Sequence, residues 1–443
     1  MIFIHGLGKS GISVIKYFKN KKINFHCWDD KYLIRKQVIQ AFKKIKFVNP
    51  KKTNLDVYKN IILSPGISKN NHYFKKIKYQ NNKFKRDLNI YWENKLNRKI
   101  IAITGTNGKS TTTKLIGDLL RRNNSPSFVG GNIGRPLLNS FSSKKNFAYH
   151  VIELSSFQLE FINDFNPKVS ILLNLSKDHL DRYKNYKEYI DQKKKIFSKN
   201  GLGYNIISFD DKESIRLYRS SDIKNKISFS ICQTNADIYY KEGYIYDNFF
   251  YKKKKILINQ ISSDLIGKFN LQNIIATYIV ARIFNITNYV FLNTIKNFKG
   301  LPYRNKVIKK NYKYLIINNS KATNVESTYN CLLGLDNVYL ILGGRAKERN
   351  FKKITKLHKR INKVYVYGES ANLIDRQLKS KFKISKFNDL KIIVKNIFKE
   401  IKSSSEKVTI LFSPSCTSYD QYNNFEERGK HFTELVNQFG KFK

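Results

Sequence analysis

One segment combines residue types that handle phosphate. It reads Thr104-Gly105-Thr106-Asn107-Gly108-Lys109-Ser110 and is followed by Thr111. Glycines let backbone N–H groups close around phosphate oxygens, and a helix N-terminus adds partial positive charge. Lys109 would reach the β and γ phosphates, and Ser110 would ligate Mg²⁺. The full G-x-x-x-x-G-K-[ST] pattern is not met, because the first glycine sits two residues too close. The segment is therefore a shortened phosphate loop, favoured over an ordinary capped turn by the strand before it and the helix after it.

Further groups fall near the same place in the expected fold. Glu153 ends the apolar run YHVIEL, and Asp178-His179-Leu180-Asp181 follows VSILLNLS. Alone, each reads as a strand-end charge or a cap histidine. After successive strands of a doubly wound sheet both emerge at the carboxyl edge, where the phosphate loop opens. A carboxylate and an imidazole there suit Mg²⁺ beside the phosphates of ATP. Lys193, Lys194 and Lys195 read, on composition, as a solvated helix face. A second glycine motif, Gly6-Leu7-Gly8-Lys9-Ser10-Gly11, matches G-x-G-x-x-G, with Asp29 beyond it. By itself it suggests a dinucleotide fold, but an NAD-binding half should be longer than residues 1–90 allow. The reading preferred here is a Rossmann-like unit holding a nucleotide's phosphates.

The elements that must position these groups alternate between strand and helix. RKIIAIT at 98–104 is a buried-type strand, and a helix is expected from about Ser110 to Arg122. YHVIELSS and VSILLNLS are further strands, and KEGYIYDNFFYKKKKI reads as a hairpin whose lysines 252–255 form a solvated edge. A helix is expected at about 269–285, and GLPYRN at 300–305 reads as a linker. After it, YLIINNS, VYLILGG, KVYVYGE and KVTILFSPS alternate with helical stretches, as in a parallel sheet covered by helices.

The chain has 443 residues, 41% hydrophobic and 14% aromatic, enough for two or three real cores. Its formal net charge is +50. That invites a nucleic-acid reading, but the charge is spread along the chain, and the accompanying Asn, Ile, Tyr and Phe all have A/T-rich codons. Compositional drift is the better explanation, no nucleic-acid module is recognised, and no specific nucleic-acid partner is expected. Cys27, Cys232, Cys331 and Cys416 form no C-x-x-C pair, which suits a reducing cytoplasm. No stretch suits a transmembrane helix, and MIFIHGLGKSG does not read as a signal peptide.

With these motifs in order, the chain resembles the Mur ligase family, MurD type. The likeness rests on GLGKSG, SPGI at 64–67, TGTNGKST, GGNIG at 130–134, ELSSFQL, DHLDRY and FNLQN at 269–273. It continues through GLPYR, NNSKATN at 318–324, GGRAK at 343–347 and SPSCTSYDQYNNFEERG at 413–429. The resemblance implies an α/β chain of three domains. These are a Rossmann-like N-terminal domain at 1–91 for the UDP-substrate, a central doubly wound ATP-binding domain at 92–299, and a Rossmann-like C-terminal domain at 300–443 for the amino acid. The implied activity is ATP-dependent addition of D-glutamate to UDP-N-acetylmuramoyl-L-alanine, by a monomer. The alternative is another ligase of the wider family, such as a folylpolyglutamate synthase, which shares the shortened loop.

The resemblance also assigns residues. Gly105, Thr106, Asn107, Gly108, Lys109, Ser110 and Thr111 would bind ATP, with Asn273, Arg304, Asn319 and Lys321. Ser110, Glu153, His179 and a carbamylated Lys193 would serve Mg²⁺, and Lys109, His179 and Lys193 would be the catalytic set. Lys9, Ser10, Asp29 and Asp30 would face the uridine end, and Asn132 the muramoyl-alanine part. Lys347, Ser418 and Phe425 would hold D-glutamate. Two positions depart from the family's preference: Phe269 stands in place of a histidine and Asn319 in place of an aspartate.

Overall fold

A computed structural model describes residues 1–75, 77, 83–95, 97–142, 146–180, 182–251, 254–265, 267–347, 349–402 and 406–440. Asp181, Lys252, Lys253 and the side chain of Phe269 lie outside the described residues.

The described residues form three sheets. The first has the order Phe25–Trp28, Ile2–His5, Asn60–Leu63, Phe84–Lys85, all parallel. Order reverses beside Ile2–His5, so Gly6 and Ser64 emerge side by side at a switch point where α/β sheets bind ligands. A Cβ at Gly6, whose φ is +88°, would come within 2.8 Å of Ser64 Cβ, so this crossing needs glycine.

The second sheet has nine strands, ordered Lys254–Leu257, Tyr244–Asp247, Ile238–Lys241, Lys226–Ser230, Tyr204–Ser208, Val169–Leu172, Lys99–Thr104, Tyr149–Glu153, Ser127–Gly131. It is parallel from Ser127–Gly131 through Ile238–Lys241 and ends in two antiparallel pairings. The expected hairpin is there, and Lys254 and Lys255 lie exposed on its outer strand. Helix Lys109–Arg122 buries Leu115, Ile116, Leu119 and Leu120, at helical spacing. Gly117 lets it approach the sheet: a Cβ there would lie 2.5 Å from Val129 Cγ2.

The third sheet is ordered Lys306–Lys310, Tyr314–Asn318, Val408–Ser415, Val338–Gly343, Ile361–Tyr367, Ile384–Lys386. All pairings are parallel except the first, made by an edge strand that no apolar run announces. Both faces are covered, so consecutive apolar residues alternate between two cores. Leu340, Leu342, Val364 and Val366 pack on one face, and Ile341, Tyr365 and Tyr367 on the other.

Contacts divide the chain into two compact units: 1–257 with 273–291, and 258–272 with 292–443. Within the first, one apolar core joins Ile4, Val14 and Ile15 to Tyr91, Ile100, Phe128 and Ile152. A buried ionic network also runs through it. Arg86 pairs with Glu160 and donates to the carbonyls of Leu63, Ser64 and Ile67. Arg182 joins the same carboxylate at 3.3 Å. No helix among the described residues is long and apolar enough to cross a membrane.

Candidate active site

Strand Lys99–Thr104 delivers the phosphate loop, and helix Lys109–Arg122 begins directly after it. Gly105 has φ +152° and Gly108 +84°, and the Gly108 turn sets the helix's first amides. Asn174 grips the loop: its carbonyl accepts from Thr106 N–H at 2.9 Å and its Oδ1 from Asn107 N–H at 2.9 Å. Asn273 closes the other side. Its Oδ1 accepts from Thr112 Oγ1 at 2.9 Å, and a Cβ at Gly108 would approach that oxygen to 2.5 Å. Lys109 Nζ folds into the loop and donates to the carbonyls of Gly105 and Thr106, each at 2.8 Å. Ser110 is buried and Thr111 half-buried. This closed, cation-bearing cradle suits the phosphates of ATP.

Lys193 is no solvated helix-face residue, as composition alone suggested: it is 2% exposed. Its Nζ donates to Gly105 carbonyl at 2.7 Å and Thr104 Oγ1 at 3.3 Å. Lys194 pairs instead with Asp222, and Lys195 donates to the Glu160 carbonyl, so the three lysines take three directions. Burial holds the Lys193 ammonium well below the usual lysine value. Lys109 adds like-charge repulsion, and Asp178 and Glu153 oppose both.

Glu153, 2% exposed, ends its strand opposite Ile103 on one side and Gly131 on the other. Asn132 donates to its Oε1 at 2.8 Å, so these two expected residues meet. His179, at φ +55°, follows a strand and precedes helix Tyr186–Lys194, whose N-cap is Asn185, so it caps neither end of that helix. Phe157 packs edge-on to its ring at 4.8 Å, and Asp178 Oδ2 lies 3.5 Å from Nε2. No cluster of three or more His, Cys, Asp or Glu able to hold a metal occurs among the described residues. Single protein donors around a phosphate loop fit Mg²⁺, which keeps several waters and takes phosphate oxygens from its substrate.

At the first glycine motif, Asp29 turns inward: its carboxylate accepts from Leu7 N–H at 2.7 Å and Lys31 N–H at 3.0 Å. Asp30 accepts from Trp28 Nε1 at 3.0 Å and Tyr73 O–H at 2.9 Å. Lys9 is exposed and Ser10 half-buried at the start of helix Lys9–Asn20. His5, missed in the sequence, is fully buried with Nε2 3.8 Å from Asp30 Oδ2.

In the second unit, Asn319 is buried, donates to Ser413 Oγ at 3.0 Å and accepts from Asn305 N–H at 3.3 Å. Lys321 Nζ sits 3.7 Å from the Phe425 ring centroid, so these two expected residues are brought together. Ser418 is buried and Lys347 exposed, and Arg304 lies in the turn before strand Lys306–Lys310. Arg428, also missed, is fully buried and donates to Ser320 carbonyl at 2.7 Å and Cys416 carbonyl at 3.0 Å. It thereby ties the Asn319–Lys321 segment to the segment leading to Ser418.

Two family models match: one described as Mur ligase middle domain, over residues 103–281, and one as Mur ligase MurD-like, N-terminal domain, over residues 1–84. The UDP-N-acetylmuramoylalanine--D-glutamate ligase of Rickettsia bellii (strain RML369-C) is 36% identical, covering 98% of this chain and 97% of its own. The ligase of the same name from Wolbachia pipientis wMel is 30% identical, covering 98% and 96%. Among solved structures, the UDP-N-acetylmuramate-alanine ligase MurC of Thermotoga maritima aligns with a TM-score of 0.62 at 17% identity, over 99% of each chain. That likeness concerns the fold.

Proposed function

Because this chain belongs to the Mur ligase family, we propose that its phosphate loop and the groups packed on it activate a carboxylate with ATP. The protein is an ATP-dependent ligase that adds D-glutamate to UDP-N-acetylmuramoyl-L-alanine in peptidoglycan precursor synthesis, in keeping with the relatives' names. The observation that carries the reading of the site is the convergence of Lys109 and Lys193 on one loop carbonyl, Gly105.

The alanyl carboxylate attacks the γ-phosphorus, and the bond to ADP breaks. The amine of D-glutamate adds to the carbonyl carbon of the acyl phosphate formed, and the tetrahedral intermediate expels phosphate, which departs carrying the amine's proton. Lys109 and the loop N–H groups offset charge on the transferring phosphoryl group. The Gly105 and Thr106 carbonyls hold the Lys109 ammonium inside the loop until a phosphate replaces them. Bound Mg²⁺ would neutralise phosphate oxygens, held by Ser110, Glu153, His179 and a carbamylated Lys193. A depressed lysine supports that modification, since the neutral amine attacks CO₂ and then sheds a proton to leave an anionic carbamate.

Asn273, Arg304, Asn319 and Lys321 complete the nucleotide contacts in this reading. Lys9, Ser10, Asp29 and Asp30 take the uridine end, and Asn132 the muramoyl-alanine part. Lys347 pairs a D-glutamate carboxylate, and Ser418 and Phe425 flank it. The domains are 1–91, 92–299 and 300–443, and the enzyme works as a cytoplasmic monomer. Four free cysteines, three of them buried, support a reducing compartment. The test is ADP release by the purified protein with Mg²⁺. Release that requires both UDP-N-acetylmuramoyl-L-alanine and D-glutamate supports the reading, and release indifferent to either contradicts it.

A further inference from the structure

Helix Tyr186–Lys194 touches the phosphate loop with two side chains one turn apart. Lys193 bonds Gly105, and the buried Tyr189 hydroxyl lies 3.0 Å from Thr106 Oγ1. The direction of the second bond is set by counting. Thr106 Oγ1 donates to Ser176 carbonyl at 3.2 Å and accepts from Ser176 N–H at 3.0 Å. Its one proton is spent, so its remaining lone pair accepts from the Tyr189 O–H. The same Tyr189 ring lies against Lys193, with Nζ 4.9 Å from its centroid.

We propose that Tyr189 is a positioning residue for the ligase reaction: its hydroxyl pins the Lys193 helix to Thr106 and so fixes Lys193 relative to the phosphate loop. The inference rests on the function given above. There, Lys109 leaves the loop carbonyls for phosphate and the Lys193 nitrogen becomes part of a carbamate, so both ammonium contacts to Gly105 change during the cycle. The Tyr189–Thr106 bond involves no reacting group and persists through it.

Tyr189→Phe tests this, because it keeps the ring and leaves Thr106 with both Ser176 partners. Initial rates in Tyr189→Phe should show kcat/KM for ATP lowered about tenfold, with KM for D-glutamate within about twofold of the parent. Combined with Thr106→Val, which itself lowers the rate, Tyr189→Phe should add no further loss, since both remove one bond. Wild-type kcat/KM in Tyr189→Phe, or losses that multiply in the double variant, would overturn the proposal. So would a fall in melting temperature of more than about 10 °C, which assigns the hydroxyl a structural role. The unaltered enzyme is assayed alongside: its failure to turn over counts against the function, whereas an active parent with an equally active variant counts against Tyr189 alone.

Discussion

Lys193 donates its Nζ to the Gly105 carbonyl at 2.7 Å, from a side chain that is 2% exposed. An amine so buried, beside Lys109, is held towards its neutral form, the form that carbamylation by CO₂ requires. Lys193→Ala is expected to lower kcat about 100-fold or more while the protein stays folded. Acetate, a small carboxylate able to occupy the vacated space, should restore part of the rate. Initial rates with and without acetate check this, and full activity in Lys193→Ala would remove the residue from the site.

Gly108→Ala meets two obstacles at once. The residue sits at φ +84°, and its new Cβ would lie 2.5 Å from Asn273 Oδ1. A non-glycine residue in this conformation costs about 1–3 kcal/mol, and the Thr112–Asn273 clamp must also shift. KM for ATP should rise about tenfold or more, with little change in KM for D-glutamate.

Glu160→Gln should destabilise the first unit strongly. Arg86 is wholly buried and has Glu160 as its anionic partner, so the change leaves a buried charge uncompensated, at a cost of about 3–5 kcal/mol. A lowered urea midpoint would register it. The double variant Arg86→Met, Glu160→Gln should recover part of the loss, because the stranded charge is gone.

Stability should fall on acidification through His150. Burial pushes this imidazole down to about 3, and Arg98 adds to the effect. Arg98 Nη1 donates to Nε2 at 3.0 Å, so Nδ1 carries the proton and faces Tyr91 O at 2.7 Å. A proton on Nε2 would meet the guanidinium. Between the ordinary histidine value of about 6.5 and about 3, the unfolded chain binds a proton that the folded one refuses. Stability contributed here is present above that window and declines by up to about 1.4 kcal/mol per pH unit as pH falls through it. The melting temperature of His150→Gln should therefore depend less on pH between about 6.5 and 4.5 than that of the parent.

The strand, phosphate loop and helix at 99–122 were legible because glycine spacing and an apolar run are local signals. The positions of Glu153, at the end of one buried strand, and His179, after another, were legible because apolar runs mark those strands. Composition alone does not single out Lys193, since three consecutive lysines carry no mark of which one faces inward; only the family resemblance names it. The helix turns it in through its shared face with Tyr189 and Ile190, both buried. Arg86 and Glu160 stand 74 residues apart, and nothing local links them. Strand Lys306–Lys310 is not legible, because an edge strand rich in lysine lacks the apolar run of its neighbours. Tyr189 and Asn174 act through hydrogen bonds to loop backbone and hydroxyl groups, which only the folded arrangement reveals.

The most direct measurement follows oxygen. With ¹⁸O in the alanyl carboxylate of UDP-N-acetylmuramoyl-L-alanine, activation by ATP moves one carboxylate oxygen onto phosphorus, and attack by D-glutamate releases it. Mass spectrometry should find one ¹⁸O in the inorganic phosphate for each amide formed. Unlabelled phosphate alongside new amide, or no amide at all with every substrate and Mg²⁺ present, would contradict the account.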